Sequence, residues 1–235
     1  MPNMHGQASH GKHARGHQHE KVVSLCERRR TAQPKIIRLS PEYDGIELLY
    51  ANDRQPDKLF SLRVLAWAML DDGEITALVP WLKKVVQAPQ LADPLNGRWV
   101  GFRLPESAYL FTEAPPHKLQ ELEAAAEFFG TAAEQQIPDI IGTHAVLSDD
   151  GMQTISLVEV VSWRLDPNGE VQAMIADEEL VTRTPVLPGD PCLVPVESMP
   201  DFRYFFQHGI ANRIKDQDPE ALAAIATLAA EQAPR

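Results

Sequence analysis

The sequence predicts an α+β fold dominated by antiparallel β-meanders, with a hairpin unit at residues 62–79 and again at 158–175, covered by a few helices. Three observations carry this. Short apolar runs alternate with Asp-Gly, Asn-Gly and Pro-Gly turns, the pattern of strands joined by tight hairpins. The stretch Leu62–Val79 (LRVLAWAMLDDGEITALV) is matched without a gap, 96 positions on, by Val158–Ile175 (VEVVSWRLDPNGEVQAMI). Trp67 falls on Trp163, Gly73 on Gly169, Glu74 on Glu170 and Ala77 on Ala173. Helical periodicity follows each hairpin, over 116–129 and 219–231. The match fits either one unit used twice or two ordinary hairpins that converge. The organisation expected is an arm over 1–34, a first α+β half over 35–141 and a second over 142–235, packed as one domain or as two halves sharing an interface.

Residues 1–20 hold Gly, His, Gln, Ser and Lys without apolar periodicity, and such a segment cannot bury enough surface to offset its ordering entropy, so the arm is expected to be disordered. Lys35–Leu39 and Ile46–Tyr50 read as strands around a Pro41-Glu42-Tyr43-Asp44-Gly45 turn. Residues 52–57 read as a polar loop between apolar segments. The first hairpin is apolar on both faces near Val64–Trp67 and Ala77–Trp81, which predicts a central position with Trp67 in the core. Asp93–Gly97 is a turn, and Arg98–Leu104 with Ala108–Thr112 forms a further hairpin.

Pro115-Pro116 opens a helix whose apolar stripe is Leu119, Leu122, Ala126 and Phe129, with Gly130 ending it. Thr131–Gly142 is read as the connector between halves. The second half then runs as a three-stranded meander over Thr143–Leu147, Gln153–Trp163 and Val171–Ile175, with Pro188-Gly189 at the centre of a type II turn. Phe202, Phe205, Phe206, Ile210 and Ile214 fall at helical spacing, and Asp218-Pro219-Glu220 starts a last helix with stripe Leu222, Ile225 and Leu228.

Charge is the most informative part of the composition. The formal net charge is −11, yet residues 1–38 contain eight basic and two acidic residues, leaving −17 for the remainder. Five of the eight histidines (His5, His10, His13, His17, His19) also lie in that first stretch. A basic arm on an acidic body points to an anionic partner, such as a nucleic acid or an acidic protein surface, with Arg28, Arg29 and Arg30 as the anion-binding residues. No apolar run approaches the ~18 residues of a membrane span, and the N-terminus lacks an apolar signal-peptide core, so no membrane association is expected. Two distant cysteines, Cys26 and Cys192, suggest reduced thiols and a cytoplasmic location.

Nucleotide-binding glycine loops, nucleophile elbows, Cys-x-x-Cys and His-Glu-x-x-His are absent from the sequence. The strongest chemical pattern is His117 with Glu121, which share one helix face at i and i+4. Together with His144, at the start of a strand, they are the candidate ligands of a divalent metal, for which a catalytic site takes about three protein ligands. Histidine near a helix start is more often an exposed polar residue, and Cys192 and His208 have ordinary structural readings.

The Tyr50–Trp81 and Phe202–Ala224 segments resemble a family of uncharacterised bacterial proteins without an assigned activity. The resemblance implies a bacterial, cytoplasmic origin and carries no site residue. The function expected is therefore a non-catalytic binding or adaptor protein whose arm contacts an anionic partner. The alternatives are a small metal-assisted enzyme using His117, Glu121 and His144, and a structural subunit of a homo-oligomer.

Overall fold

A computed structural model of the chain describes residues 34–52, 55–91, 97–105, 107, 109–129, 135–149, 154–177, 180–181 and 185–207. Antiparallel strands dominate them, with one α-helix. In chain order they are β1 (Ile36–Pro41), β2 (Glu47–Asn52), β3 (Gln55–Arg63), β4 (Ala66–Leu70), β5 (Ile75–Trp81), β6 (Lys84–Gln87), β7 (Gly97–Arg103), β8 (Leu110–Phe111), α1 (His117–Phe129), β9 (Gln136–Pro138), β10 (His144–Ser148), β11 (Ile155–Leu165), β12 (Val171–Ala176), β13 (Leu193–Pro195) and β14 (Phe202–Phe206). The described residues from Lys35 onward form one compact unit.

The strands fall into two sets with the same pairing. In the first, β1, β4, β5 and β6 lie side by side, while β2 pairs with β3 and β7. In the second, β9, β11, β12 and β13 follow the former order and β10 pairs with β11 and β14. The long strand β11 does in one piece what β3 and β4 do in two.

Local geometry agrees as well. Trp67 stands opposite Ala77 and Trp163 opposite Ala173. In the first turn Leu70 N–H donates to Glu74 O and Gly73 N–H to Leu70 O, and in the second Asp166 N–H donates to Glu170 O and Gly169 N–H to Asp166 O. Gly73 and Gly169 have φ of +88° and +87°, a conformation that glycine adopts without a Cβ clash. Upstream, Glu42 N–H donates to Leu65 O and Val64 N–H to Ile46 O, matched by Asp139 N–H to Val161 O and Val160 N–H to Thr143 O. The correspondence thus reaches well beyond the 18-residue match, back to Pro41-Glu42 and Pro138-Asp139.

Two apolar clusters fill the interior, and each draws on both strand sets. One gathers Tyr50, Leu62, Trp67, Val79, Phe102 and Leu122 with Val146, Leu157 and Phe206. The other gathers Ile137, Trp163, Ala173 and Phe205 with Leu39, Leu65 and Leu78. Alternation along β4 explains the sharing, because successive side chains point to opposite faces: Trp67 enters the first cluster, Ala66 and Ala68 the second. An apolar run on both faces of a strand therefore meant a strand between two cores, and residue 141 does not divide them.

Several expectations need correction. Asn52 and residues 55–57 are strand rather than loop, since β2 runs through Asn52 and β3 begins at Gln55, the two pairing as a hairpin, while residues 53–54 lie outside the described residues. The stretch from Thr131 to Gly142 contains β9, whose edge hydrogen bonds go to β11. Phe202–Phe206 is a strand rather than a helix start, paired with β10 and burying Phe202, Phe205 and Phe206, so tertiary pairing overrode a helix-like spacing. The helix at 117–129 forms, but it buries Lys118, Leu122 and Ala125 and leaves Leu119 exposed, a stripe rotated toward β1 and β4. The arm with Arg28, Arg29 and Arg30, the Asp93–Asn96 part of the predicted turn, Cys26, His208 and the helix expected over 219–231 lie outside the described residues.

Candidate functional site

Where β1 ends at Pro41, the chain turns through Glu42–Ile46 and enters a second sheet as β2. Gly45, at φ +73°, supplies the turn. The first turn of α1 lies over this loop and brings His117, Lys118 and Glu121 to it. Glu42 is buried and accepts through both oxygens: Oε1 from the N–H groups of Asp44 and Ile46, Oε2 from Trp67 Nε1–H and from the Lys118 ammonium at 3.0 Å.

Lys118 has no exposed side-chain surface and donates to three carboxylates: Asp44 Oδ2 at 2.7 Å, Glu121 Oε2 at 3.0 Å and Glu42. Burial alone would lower its pKa, but the hydrogen bonds it donates to Asp44, Glu121 and Glu42 outweigh it and hold the pKa above the usual lysine value. The group is therefore a fixed cation at neutral pH, without the free lone pair of a nucleophile or base. Asp44 is held below the usual carboxylate range by the Lys118 hydrogen bond and then by His117.

His117 Nε2 lies 3.1 Å from Asp44 Oδ2 and 3.8 Å from Glu121 Oε1. The i, i+4 spacing thus brought His117 and Glu121 together, and the fold adds Asp44. One ligand atom from each of these three lies within 4.8 Å of the others, the only such group among the described residues. One imidazole nitrogen with carboxylate oxygens suits a divalent cation. Lys118 already supplies a positive charge to two of the oxygens, so an added cation would take the outer donors against ammonium repulsion.

His144 is not a member of this group. It opens β10, opposite Glu159 and Phe206, and its Nδ1 lies 3.2 Å from Gly142 O. That carbonyl belongs to the second strand set's counterpart of the Glu42 loop. There Asp139 Oδ1 accepts from Trp163 Nε1–H and Oδ2 from Thr143 N–H, both at 2.8 Å. Each tryptophan is thus fastened by an acid that precedes it by 25 or 24 residues. Burial raises the Asp139 pKa, with the Trp163 and Thr143 hydrogen bonds opposing it. Lys118 separates the two arrangements: its ammonium donates to Glu42, whereas the contacts that hold Asp139 come from the Trp163 indole and the Thr143 N–H.

Sequence reasoning missed Glu42, Asp44 and Lys118. A usable signal existed in the repeated Pro-acid-x-x-Gly at 41–45 and 138–142. Lys118 carried only its i, i+3 relation to Glu121, which ordinarily marks an exposed helix face. Together the fold and site define an antiparallel β protein with two shared cores and a lysine-centred ionic corner. No protein-family model, curated protein or solved structure matches the chain. No helix of the described residues is long and apolar enough to cross a membrane.

Proposed function

We propose that the protein is a non-catalytic binding or adaptor protein of the cytoplasm, whose basic N-terminal arm contacts an anionic partner such as a nucleic acid or an acidic protein surface. The observation that carries this is charge segregation: residues 1–38 hold eight basic and two acidic residues in a chain of net charge −11. The acidic body repels polyanions, so contact is local, and Arg28, Arg29 and Arg30 are its centre. The lysine-centred corner supports the same reading, since its central cation is committed to three carboxylates and serves the fold.

The test is binding of a labelled single-stranded RNA or DNA and of a polyglutamate peptide to the full chain and to a chain lacking residues 1–30. Three arginine–phosphate contacts on a single strand give a log–log salt slope of about −2. The deletion should abolish most of the affinity. Binding indifferent to both salt and deletion would refute the proposal.

A second reading, a metal-assisted site in the folded body, is favoured by the convergence of Asp44, His117 and Glu121. It predicts one divalent ion retained by the full chain in native mass spectrometry and lost in His117→Ala, with His144→Ala unaffected. Retention unchanged in His117→Ala would remove it. We also infer that the two strand sets descend from one duplicated unit. Under that reading Asp139→Ala and Glu42→Ala loosen equivalent tryptophans. Fluorescence of Trp163 insensitive to the former would count against the equivalence.

A further inference from the structure

We propose that the corner where the Glu42–Ile46 loop meets the β7–β8 turn is a docking site for a cationic protein segment bearing apolar anchors. Four of the large apolar side chains that the described residues leave exposed belong to these two segments: Tyr43 at 64%, Leu104 at 47%, Tyr109 at 74% and Leu110 at 45%. The segments touch, since a β-carbon placed on Gly45 would stand only 3.2 Å from Pro105 Cγ. Isolated exposed apolar residues are ordinary on a soluble protein, but a group on two abutting segments marks an interaction surface.

Aromatic rings back the Tyr109 side of this surface. Tyr109 stacks on Phe111 with ring centroids 6.5 Å apart, Phe111 lies 5.8 Å from Phe102, and Phe102 lies 5.4 Å from the buried Trp67. An aromatic anchor already held by a chain of rings loses little freedom on binding.

Charge decides the partner. Asp44, next to Tyr43, and Glu121 keep 41% and 35% of their side chains exposed. Glu42, Asp44 and Glu121 against the single Lys118 leave two negative charges, or one when His117 is protonated. The nearby guanidinium of Arg103 is committed to Glu47 at 2.7 Å. A nucleic acid or anionic lipid would be repelled, and a purely apolar partner would desolvate Asp44 and Glu121 without replacing their hydrogen bonds. A segment presenting Arg or Lys beside Leu or aromatic residues satisfies both halves of the corner. This surface is distinct from the arm, and its occupant has the opposite charge to the arm's partner.

Fluorescence polarisation of the full chain with a short fluorescein-labelled peptide of Arg, Leu and Trp tests it, beside a control with Glu in place of Arg. The Arg peptide should bind and the Glu peptide should not. Tyr109→Ser, Leu104→Ser and Asp44→Asn should each weaken binding by about tenfold, the effect of losing one central anchor. Leu187→Ser, which removes an exposed leucine elsewhere, should change nothing, and deletion of residues 1–30 should leave the peptide affinity intact even if it abolishes polyanion binding. Equal affinity for the two peptides, no binding, or an equal loss in Leu187→Ser would overturn the proposal. Concentration-dependent self-association abolished by Tyr109→Ser would also overturn it, assigning the corner to a second copy.

Discussion

Replacing Lys118 with methionine isolates what the buried ammonium contributes. Methionine approximates the lysine stem in volume, so the change removes charge and three hydrogen bonds rather than packing. Of the three carboxylates, Asp44 and Glu121 are 41% and 35% exposed and can take up water, whereas Glu42 has no exposed side-chain surface. The cost is therefore that of stranding one buried carboxylate, whose other hydrogen bonds remain. Breaking a buried ion pair typically costs 3–5 kcal/mol, and the partial relief here places Lys118→Met near the lower end, about 3 kcal/mol. For a domain of this size that is roughly 6–12 °C in Tm.

Urea denaturation followed by tryptophan fluorescence and circular dichroism measures it, and pH supplies a second axis. The folded-state pKa of Lys118 is raised, so its contribution is fully present below the usual lysine value of 10.5 and is lost as pH rises through the higher folded value. The gap between wild type and Lys118→Met should hold from pH 7 to about pH 10 and close above that. A deficit under about 1 kcal/mol at pH 7, or one that ignores pH, would refute the account of Lys118 as the counter-charge of a buried acid.

Other variants test other parts of the fold. Trp163→Phe and Trp67→Phe each remove an indole donor from an acid. Asp139 then keeps the Thr143 and Gly142 N–H groups, whereas Glu42 keeps the Lys118 ammonium besides two backbone N–H groups, so urea denaturation should show the larger loss for Trp163→Phe, about 2 kcal/mol. Gly73→Ala and Gly169→Ala share a positive φ, but a β-carbon at Gly73 meets nothing within 4 Å while one at Gly169 would stand 3.0 Å from Ile36 N and 3.1 Å from Ile36 O. Thermal melts should put Gly73→Ala about 1 kcal/mol below wild type and Gly169→Ala clearly lower. Chains cut to residues 35–141 or 142–235 should each give circular dichroism without cooperative melting, because both apolar clusters need strands from both parts. A cooperative melt of either fragment alone would contradict the shared cores.

The strands were legible where turn chemistry and apolar runs agreed. The Asp71-Asp72-Gly73 and Pro167-Asn168-Gly169 turns, with apolar runs on either side, were enough to place β4, β5, β11 and β12. Their tryptophans were legible as core but not as hydrogen-bond donors, because the acids that receive them come from distant loops. β3 was hidden by Gln, Pro and Asp at its start, residues that read as loop until the strand is seen to pair with β2. β14 was hidden by aromatic spacing that suits either a helix or a strand, a choice settled only by the open edge of β10.

Half the candidate site could be read from spacing on one helix. The other half left only the Pro-acid-x-x-Gly repeat around Glu42 and nothing for the pairing itself, since Asp44 reaches His117 across 73 residues and Lys118 looks like any exposed lysine until the helix is seen to turn that face inward. The same rotation leaves Leu119 exposed, so a single error in helix phase accounts for both misjudgements.

The side chain of Gln135 has a consequence for how the chain assembles. It is fully buried, and its amide both donates to Leu39 O and accepts from Leu39 N–H at 2.7 Å, imitating a strand neighbour for β1. The two residues are 96 positions apart, so this clasp closes only after nearly everything between them has been collected. β1 thus takes one of its backbone partners from a residue synthesised long after it. The expected outcome of limited proteolysis during refolding is therefore protection gained in one late step rather than lobe by lobe, with early protection of residues 35–141 alone counting against it.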